Sequence, residues 1–198
     1  MSDIAPDLAS GLADPAQDSQ RLFRAVLDAF SHPGRIVVLP QPPAAVGPLS
    51  RAATAFLLTF VDRDTPLWLA PEFDSAAVRD FVRFHTGAPI VAGEADALFA
   101  VVPSDPAPML EGFAVGSDPY PDRSATLVIE VPGLSGGVAR GWRGPGIDGC
   151  STVAVEGLSG TFWVEWLANH SLFPCGVDVV FTAGSDLLAL PRSIAVES

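Results

Sequence analysis

The sequence predicts a single α/β domain in which helices flank a mixed β-sheet. Segments with apolar residues at helical spacing alternate with short apolar runs of the kind that buried strands contain. The chain ends in two β-rich runs separated by Ala183-Gly184-Ser185-Asp186, which predicts a hairpin. Because no internal repeat and no Ser- or Gly-rich linker interrupts the chain, we expect one domain over residues 14–198, after a loose tail over residues 1–13.

The first predicted helix begins at a capping box. Asp14 suits the N-cap, Pro15 the first helical position and Gln17 the third. The apolar residues that its periodicity predicts to be buried are Leu22, Val26 and Phe30 in one stripe, with Phe23 and Leu27 beside it. The turn at residues 31–34 ends this helix. We expect a β-rich run at residues 35–39 and a second helix over residues 49–60.

The stretch over residues 59–91 predicts a turn, a buried strand, an amphipathic helix and the start of another strand. Pro66 disfavours the helical conformation at the residue before it, and Leu67-Trp68-Leu69 is a short apolar run. Ser75 suits the N-cap of the helix, and Gly87 is placed for a left-handed C-cap. The apolar residues of this helix that recur at helical spacing are Val78, Phe81 and Val82.

The second half of the chain predicts four strands and one helix. The strands are expected at Leu98–Val102, Ala125–Val131, Val177–Thr182 and Leu187–Leu190. The helix is expected over residues 159–170, and the side chains predicted to face inward are Phe162, Trp163, Trp166 and Leu167. Residues 103–124 contain five prolines and two glycines, which predicts a long loop of the kind that is often functional or partner-binding.

Charge and lysine content exclude several classes of function. The formal net charge is −12, which disfavours nucleic acid as a partner because such binding depends on Lys and Arg contacts to phosphates. All eleven basic residues are arginine, so the chain contains neither a Walker A lysine nor a lysine for a Schiff base with pyridoxal phosphate. We therefore expect no cofactor of this kind.

Cellular location follows from the N-terminus and the cysteines. The acidic N-terminus lacks the basic region of a signal peptide, and no apolar run approaches the roughly 20 residues that span a bilayer. The two cysteines, Cys150 and Cys175, are too few for a disulfide framework. We expect a cytoplasmic protein with two buried thiols and no membrane association.

Two clusters of polar groups are candidates for one anion site. One lies at the end of the helix predicted before Gly87, and the other is the glycine turn at residues 144–149 with the arginine before it. Backbone N–H groups in such a turn can bind an anion, and an arginine fork binds phosphate oxygens bidentately. The residues of this predicted anion site are Arg83, His85, Thr86, Arg143, Gly144 and Gly146. Two alternatives stay open: His85 as a cation that suits a helix C-terminus, and a glycine turn without a ligand.

A serine in a second glycine-rich turn gives an alternative from another functional class. Gly133-Leu134-Ser135-Gly136-Gly137 matches the G-x-S-x-G nucleophile elbow of serine hydrolases, which lies between a strand and a helix. A strand is expected before this turn, but the residues after it do not start a helix, so a tight turn is the competing interpretation. The three histidines lie far apart without other ligands at metal spacing, so we expect no metal site.

Several segments together resemble one known family, in the family's own order. They are Phe23-Arg24, Ser31-His32-Pro33-Gly34, Asp62-Arg63-Asp64-Thr65-Pro66-Leu67-Trp68-Leu69, Arg83-Phe84-His85-Thr86, Leu134-Ser135-Gly136-Gly137, Gly144-Pro145-Gly146-Ile147, Phe173-Pro174-Cys175-Gly176-Val177-Asp178 and Leu190-Pro191-Arg192-Ser193. From about residue 15 to the C-terminus, the chain resembles the PhnH family, which is one component of the bacterial carbon–phosphorus lyase core complex. The ordered set, rather than any single segment, carries this resemblance.

The resemblance implies a function in phosphonate breakdown. Members of the PhnH family act with the sister subunits G, I and L to attach a phosphonate such as methylphosphonate to the ribose of ATP, which displaces adenine. A separate iron–sulfur protein then cleaves the C–P bond. The resemblance also implies a fold similar to that of pyridoxal-phosphate-dependent transferases without the cofactor, a homodimer, and assembly with the sister subunits G, I, J and L. It implies a structural role and identifies no catalytic residue.

Overall fold

The computed structural model describes residues 9–197, and the first eight residues of the predicted tail lie outside this range. The described residues form one α/β domain with four α-helices and a mixed central sheet. The helices are α1 (Pro15–Ser31), α2 (Arg51–Phe60), α3 (Ala76–His85) and α4 (Gly160–His170). The strands are β1 (Val37–Val38), β2 (Leu67–Leu69), β3 (Phe99–Pro103), β4 (Val115–Ser117), β5 (Tyr120–Ser124), β6 (Thr126–Glu130), β7 (Arg140–Arg143), β8 (Ser151–Val153), β9 (Asp178–Ala183), β10 (Asp186–Leu190) and β11 (Ala195–Glu197).

Each α-helix begins at a side chain that accepts a hydrogen bond from the first turn. Asp14 accepts from the N–H of Gln17 at 3.1 Å, and Ser75 accepts from the N–H of Val78 at 3.3 Å, which confirms both predicted caps. Ser50 and Ser159 cap α2 and α4 in the same way. Gly87 follows α3 with a φ of 71°, which confirms the left-handed residue predicted after this helix.

The central sheet has six strands in the order β1-β10-β9-β6-β3-β2. Strands β2, β3, β6 and β9 are parallel, whereas β10 runs antiparallel to β9 and β1 antiparallel to β10. A two-residue turn joins β9 to β10, with Gly184 at a φ of 58°, so the predicted hairpin is confirmed. Beside this sheet lie a three-stranded antiparallel sheet, β11-β7-β8, and the two-stranded hairpin β4-β5.

The core lies around the middle strands of the sheet. Consecutive residues of β9, Val179 to Phe181, are fully buried, as expected for a strand that is covered on both faces. Phe162 of α4 packs against Phe181 with 5.7 Å between the ring centroids, and α2 also contacts β9. Hydrophobic residues from all four helices and from the three-stranded sheet join the same core, so the chain folds as one unit.

Three residues that were predicted to face inward are exposed. Phe23 and Leu27 lie at the edge of α1 and are 43% and 46% exposed, because the buried stripe of this helix is the narrower set Leu22, Val26 and Ala29. Phe23 stacks on Phe60 of α2 at 5.3 Å between ring centroids. Leu167 of α4 is 64% exposed because this helix packs through the face that carries Phe162 and Trp166.

The prediction of a structureless loop over residues 103–124 is wrong for its second half, which contains the β4-β5 hairpin. Val115 pairs with Ser124, and the register shifts at Gly116, whose φ is 79°. A β-carbon at Gly116 would lie 2.8 Å from the carbonyl oxygen of Pro121, so a glycine at this bulge lets the two strands approach. The cysteine prediction is half wrong: Cys175 is buried, but Cys150 is exposed at the turn before β8.

Candidate functional site

The first part of the predicted anion site lies at the C-terminal end of α3. His85 packs against the ring of Phe81, and its Nε2 lies 3.1 Å from the carbonyl oxygen of Ala9. The hydroxyl of Thr86 donates to the carbonyl of Val82 at 2.8 Å, as a residue at a helix end often does. Arg83 is exposed beside them. Two of the three side chains therefore have hydrogen-bond partners within the protein.

The second part of the predicted site lies in the turn between β7 and β8. Arg143 donates from Nε to Glu197 of β11 at 3.0 Å and from Nη1 to the carbonyl of Gly149 at 3.3 Å. Gly144 has a φ of 148°, and its carbonyl accepts from the N–H of Ile147 at 3.2 Å. Gly146 packs so closely on the end of α1 that a β-carbon would lie 2.2 Å from the carbonyl oxygen of Ser31. The arginine and the glycines are thus engaged in intramolecular contacts.

The structure does not connect these two parts. The end of α3 contacts the segment that precedes α1, through Ala9 and Gly11, whereas the β7-β8 turn contacts the other end of α1, at Ser31 and Pro33. None of the hydrogen bonds described above joins one part to the other. The anion-binding role of these six residues stays a prediction.

A different arginine, Arg140, is partly buried and forms no ion pair or hydrogen bond with the described residues. Arg140 and Trp142 alternate along β7 with Gly141 and Arg143, so the two pairs lie on opposite faces of the strand. The guanidinium carbon of Arg140 lies 4.9 Å from the centroid of the Trp163 ring. Its Nε and the Nε1 of Trp142 are buried donors with no acceptor in the described structure.

The sequence reasoning missed Arg140 because it did not recognise β7 as a strand. The signal that could have found it is the alternation in Arg140-Gly141-Trp142-Arg143, which places every second side chain on the buried face of a short strand. With that register, Arg140 shares a face with a tryptophan, and Arg143 shares a face with a glycine. The face with the large apolar side chain is the one expected to be buried.

A cavity of about 370 Å³ lies at the ends of two parallel strands. Its walls include the residues that follow β2 and those that end β3, and the rings of Trp68 and Phe113 meet there edge to face at 5.8 Å. Ligands of α/β sheets often bind outside the carboxyl ends of the strands. Glu72 and Glu94 also line this cavity, so its electrostatics disfavour an anion.

Glu130, at the carboxyl end of β6, is a partly buried acid near the centre of the sheet. Burial raises the pKa of Glu130, while hydrogen bonds from Ser50 and Thr182 act in the opposite direction. The backbone N–H of Ser50, the N-cap of α2, donates to Oε1 at 2.5 Å. The carboxyl group therefore ties β6 to the first turn of a helix.

The raised pKa predicts a pH dependence that Glu130→Gln should remove. Because the folded protein holds this proton more tightly, the contribution of Glu130 to stability is fully present below the unfolded pKa of about 4.3 and is lost as pH rises through the folded value. The free energy of unfolding of the wild type minus that of the Gln variant should therefore fall as pH rises through this window. Urea unfolding between about pH 4 and pH 8 measures it.

Asp74→Asn provides the control with the opposite sign. The Arg79 side chain holds the pKa of Asp74 below its ordinary value, so the stabilisation from this carboxylate is present above that value and lost as pH falls. The difference between wild type and Asp74→Asn should rise with pH only below the ordinary value of 3.8, so the unfolding series for this control extends down to about pH 2. A difference for Glu130→Gln that also rises with pH would contradict the assignment of burial as the dominant effect.

The hydrolase alternative lacks the geometry that it requires. Ser135 is an exposed residue in a turn that leads from β6 to β7, so no helix follows it. The other glycine motif, at residues 144–149, likewise leads into β8 and not into a helix. Among residues 9–197, no three His, Cys, Asp or Glu side chains gather as metal ligands, and no helix has the length and apolar character to cross a membrane.

Comparison with known proteins assigns the chain to a family. The model of a family described as "Bacterial phosphonate metabolism protein (PhnH)" matches residues 10–197. The chain belongs to the PhnH family. A PhnH relative from Rhizobium meliloti (strain 1021) is 40% identical over 190 residues, covering 96% of this chain and 95% of the relative. That relative is named alpha-D-ribose 1-methylphosphonate 5-triphosphate synthase subunit PhnH.

A second relative, from Stutzerimonas stutzeri, is more distant. This protein, HtxG, is assigned as a C-P lyase subunit and is 30% identical over 191 residues, covering 96% of this chain and 91% of the relative. Both alignments extend over nearly the whole chain, so they cover the folded domain described above and the sequence segments that carry the resemblance. The family predicted from the sequence is confirmed.

Proposed function

We propose that this chain is a non-catalytic subunit of a carbon–phosphorus lyase assembly that breaks down phosphonates. The observation that carries the proposal is the match over almost the entire chain to a family of phosphonate metabolism and to a relative named as a synthase subunit. The second relative is also assigned as a subunit, of C-P lyase. Both relatives are named as subunits, and each aligns with this chain over more than nine-tenths of its own length. These two matches support a role within an assembly.

In this proposal the assembly transfers the ribose triphosphate of ATP to methylphosphonate and forms alpha-D-ribose 1-methylphosphonate 5-triphosphate. The partners are the cytoplasmic sister subunits G, I, J and L, and two copies of this chain pair as a homodimer. The product is the one in the name of the Rhizobium meliloti relative. The contribution of this chain is to present a surface on which other subunits assemble.

The fold proposed alongside this function is that of pyridoxal-phosphate-dependent transferases without their cofactor. The lack of the cofactor agrees with the composition, since the chain has no lysine for a Schiff base. Incubation with pyridoxal phosphate should give no aldimine absorbance. Retention of the cofactor after gel filtration would contradict this part of the proposal.

The outer face of α4 is the surface that best suits a sister subunit. We define this face as Val164 and Leu167 of α4 together with Leu172 and Phe173 of the turn that follows the helix. Val164 and Leu167 are 68% and 64% exposed, while the opposite side of the helix buries Phe162 and Trp166 in the core. A helix that is apolar on both sides is typical of one buried in a larger structure, and exposed apolar patches mark interaction sites.

Leu167→Glu should therefore disrupt assembly without unfolding the chain. A carboxylate buried in an apolar interface without a partner is strongly unfavourable, so we expect at least a tenfold loss of sister subunits retained by the tagged chain. The free energy of unfolding should change by less than about 0.5 kcal/mol, because the residue is exposed in the single chain. Val138→Glu, at an equally exposed valine, is the matched control. Normal assembly of Leu167→Glu would exclude this face.

The proposed function is tested by co-purification. The tagged chain is expressed with the sister subunits, the native mass of the isolated assembly is determined, and the product formed from ATP and methylphosphonate is identified by its mass. The proposal predicts an assembly with two copies of this chain that forms the ribose phosphonate triphosphate. Recovery of the tagged chain alone, while the other subunits assemble without it and form the product, would overturn the proposal.

A further inference from the structure

Arg140 combines partial burial with the lack of an ion pair in the described structure. Six of the eleven arginines form an ion pair with a carboxylate of the same chain, as expected for a protein with 23 acidic residues. Arg140 is partly buried, yet no carboxylate oxygen of the described residues lies within 4.0 Å of its guanidinium nitrogens. Its Nε is buried and has no acceptor.

The environment of Arg140 holds the guanidinium group in place and leaves its donors free. The group lies over the ring of Trp163 at 4.9 Å, and the Trp163 ring in turn packs edge to face on the buried Phe162 at 5.0 Å between centroids. A guanidinium that stacks on an aromatic ring keeps its N–H groups in the plane, where they can bind two oxygens. The arginine is therefore preorganised for a bidentate anion.

The same face of β7 carries a second donor without a partner. Trp142 is fully buried, and its Nε1–H has no acceptor among the described residues. A buried donor that lacks an acceptor destabilises a protein, and an anion bound on this face of the strand would supply acceptor oxygens. Trp163 also lies in the N-terminal part of α4, whose first turn contains no acidic residue, and the helix dipole there favours a negative charge.

We propose that Arg140, stacked on Trp163, binds a tetrahedral oxyanion, the phosphonate or phosphate group of a small molecule. Arginine suits this ligand because its fork matches two oxygens of such a group. The choice of phosphonate and phosphate over carboxylate rests on the proposed function in phosphonate metabolism. Since the whole chain carries a net charge of −12, the interaction is local and weakens as ionic strength rises.

The test is a calorimetric titration of the full chain with methylphosphonate, inorganic phosphate and inorganic tripolyphosphate, and with acetate for comparison. Arg140→Ala should weaken binding of the favoured oxyanion at least tenfold. Arg140→Lys should weaken it less, because a lysine keeps the charge and loses the fork. Arg123→Ala is the matched control and should bind as the wild type does, since Arg123 also lies over an aromatic ring, that of Tyr120 at 4.1 Å, but is exposed. Tighter binding of methylphosphonate would identify the phosphonate group as the ligand, and tighter binding of tripolyphosphate would identify a phosphate group.

The outcomes separate this inference from the proposed function. If Arg140→Ala does not fold, the affinity of Arg140→Lys for the oxyanion is the deciding measurement. A folded variant that binds the oxyanion with wild-type affinity would overturn the inference. Failure of the wild type to bind any of the three oxyanions, or binding of acetate with equal affinity, would overturn it too. Co-purification of Arg140→Ala with the sister subunits is expected to be normal. If Arg140→Ala loses anion binding and still assembles, both proposals are supported. If the wild type assembles but binds none of the anions, the proposed function stands and the anion site at Arg140 is excluded.

Discussion

Replacing Asn169 by Ala should lower the free energy of unfolding by about 2–5 kcal/mol. Asn169 is 3% exposed, and its side-chain amide makes both hydrogen bonds of the Val177 backbone. Its Nδ2 donates to the Val177 carbonyl at 2.9 Å, and its Oδ1 accepts from the Val177 N–H at 2.8 Å. Alanine would leave a buried donor and a buried acceptor without partners at the point where the chain enters β9, and each such loss is worth about 1–3 kcal/mol.

Urea unfolding followed by tryptophan fluorescence measures this loss. Ser171→Ala is the control, because the Ser171 hydroxyl is exposed and donates only to the Leu167 carbonyl of its own helix. We expect a change of at most about 0.5 kcal/mol for this control. A change of less than about 1 kcal/mol for Asn169→Ala would show that water or a shift of the loop replaces the amide, and that the α4-β9 connection is held by other contacts.

Gly146→Ala should have an effect of similar size for a different reason. Gly146 has a φ of 84°, and a β-carbon there would lie 2.2 Å from the carbonyl oxygen of Ser31 and 2.9 Å from Cδ of Pro33. The left-handed conformation alone disfavours alanine by roughly 1–2 kcal/mol, and overpacking adds about 1–3 kcal/mol. We expect a total loss of about 2–5 kcal/mol and separation of the β7-β8 turn from the end of α1.

Gly149 supplies a control in the same turn. Its φ is 72°, but no heavy atom lies within 4 Å of the place that a β-carbon would occupy. Gly149→Ala should therefore show the conformational effect alone, about 1–2 kcal/mol. Equal losses for the two variants, measured by the same unfolding experiment, would mean that the turn moves away from α1 easily and that the close contact contributes nothing.

The helices and the central sheet could be predicted because their signals are local. Asp14 and Ser75 cap helices through hydrogen bonds that span three residues, and the stripe of Val78, Phe81 and Val82 follows from helical spacing. The β9-β10 hairpin needs only a two-residue turn with Gly184. Each of these features is decided within one short segment of chain.

The strands that were missed lie outside the central sheet. β7 pairs with β8, which follows it in the chain, and with β11, where Trp142 pairs with Val196 more than fifty residues further along. The prolines at positions 119 and 121 lowered the expectation of a strand, but β4 and β5 pair only with each other, where prolines are tolerated. Leu167 was assigned to the core because apolar periodicity cannot distinguish a face that contacts the core from a face that suits a partner.

The candidate site shows the same division. The sequence pattern predicted an anion site at an arginine beside a glycine turn, and the structure pairs that arginine, Arg143, with Glu197 across two strands of a sheet that was not predicted. Once the register of β7 is known, Arg140 is the arginine with a buried nitrogen and no acceptor. Which of two arginines three residues apart is free depends on the partner strand and not on local sequence.

Growth on methylphosphonate as the only phosphorus source tests the central claim most directly. A bacterial strain that lacks its own PhnH protein and retains the other carbon–phosphorus lyase subunits is given the gene for this chain, and growth on phosphate serves as the control. The account predicts that growth on methylphosphonate returns, and that Leu167→Glu fails to restore it while Val138→Glu succeeds. Absence of growth with the folded chain present at the normal level would contradict the assignment of this protein as a working subunit of phosphonate breakdown.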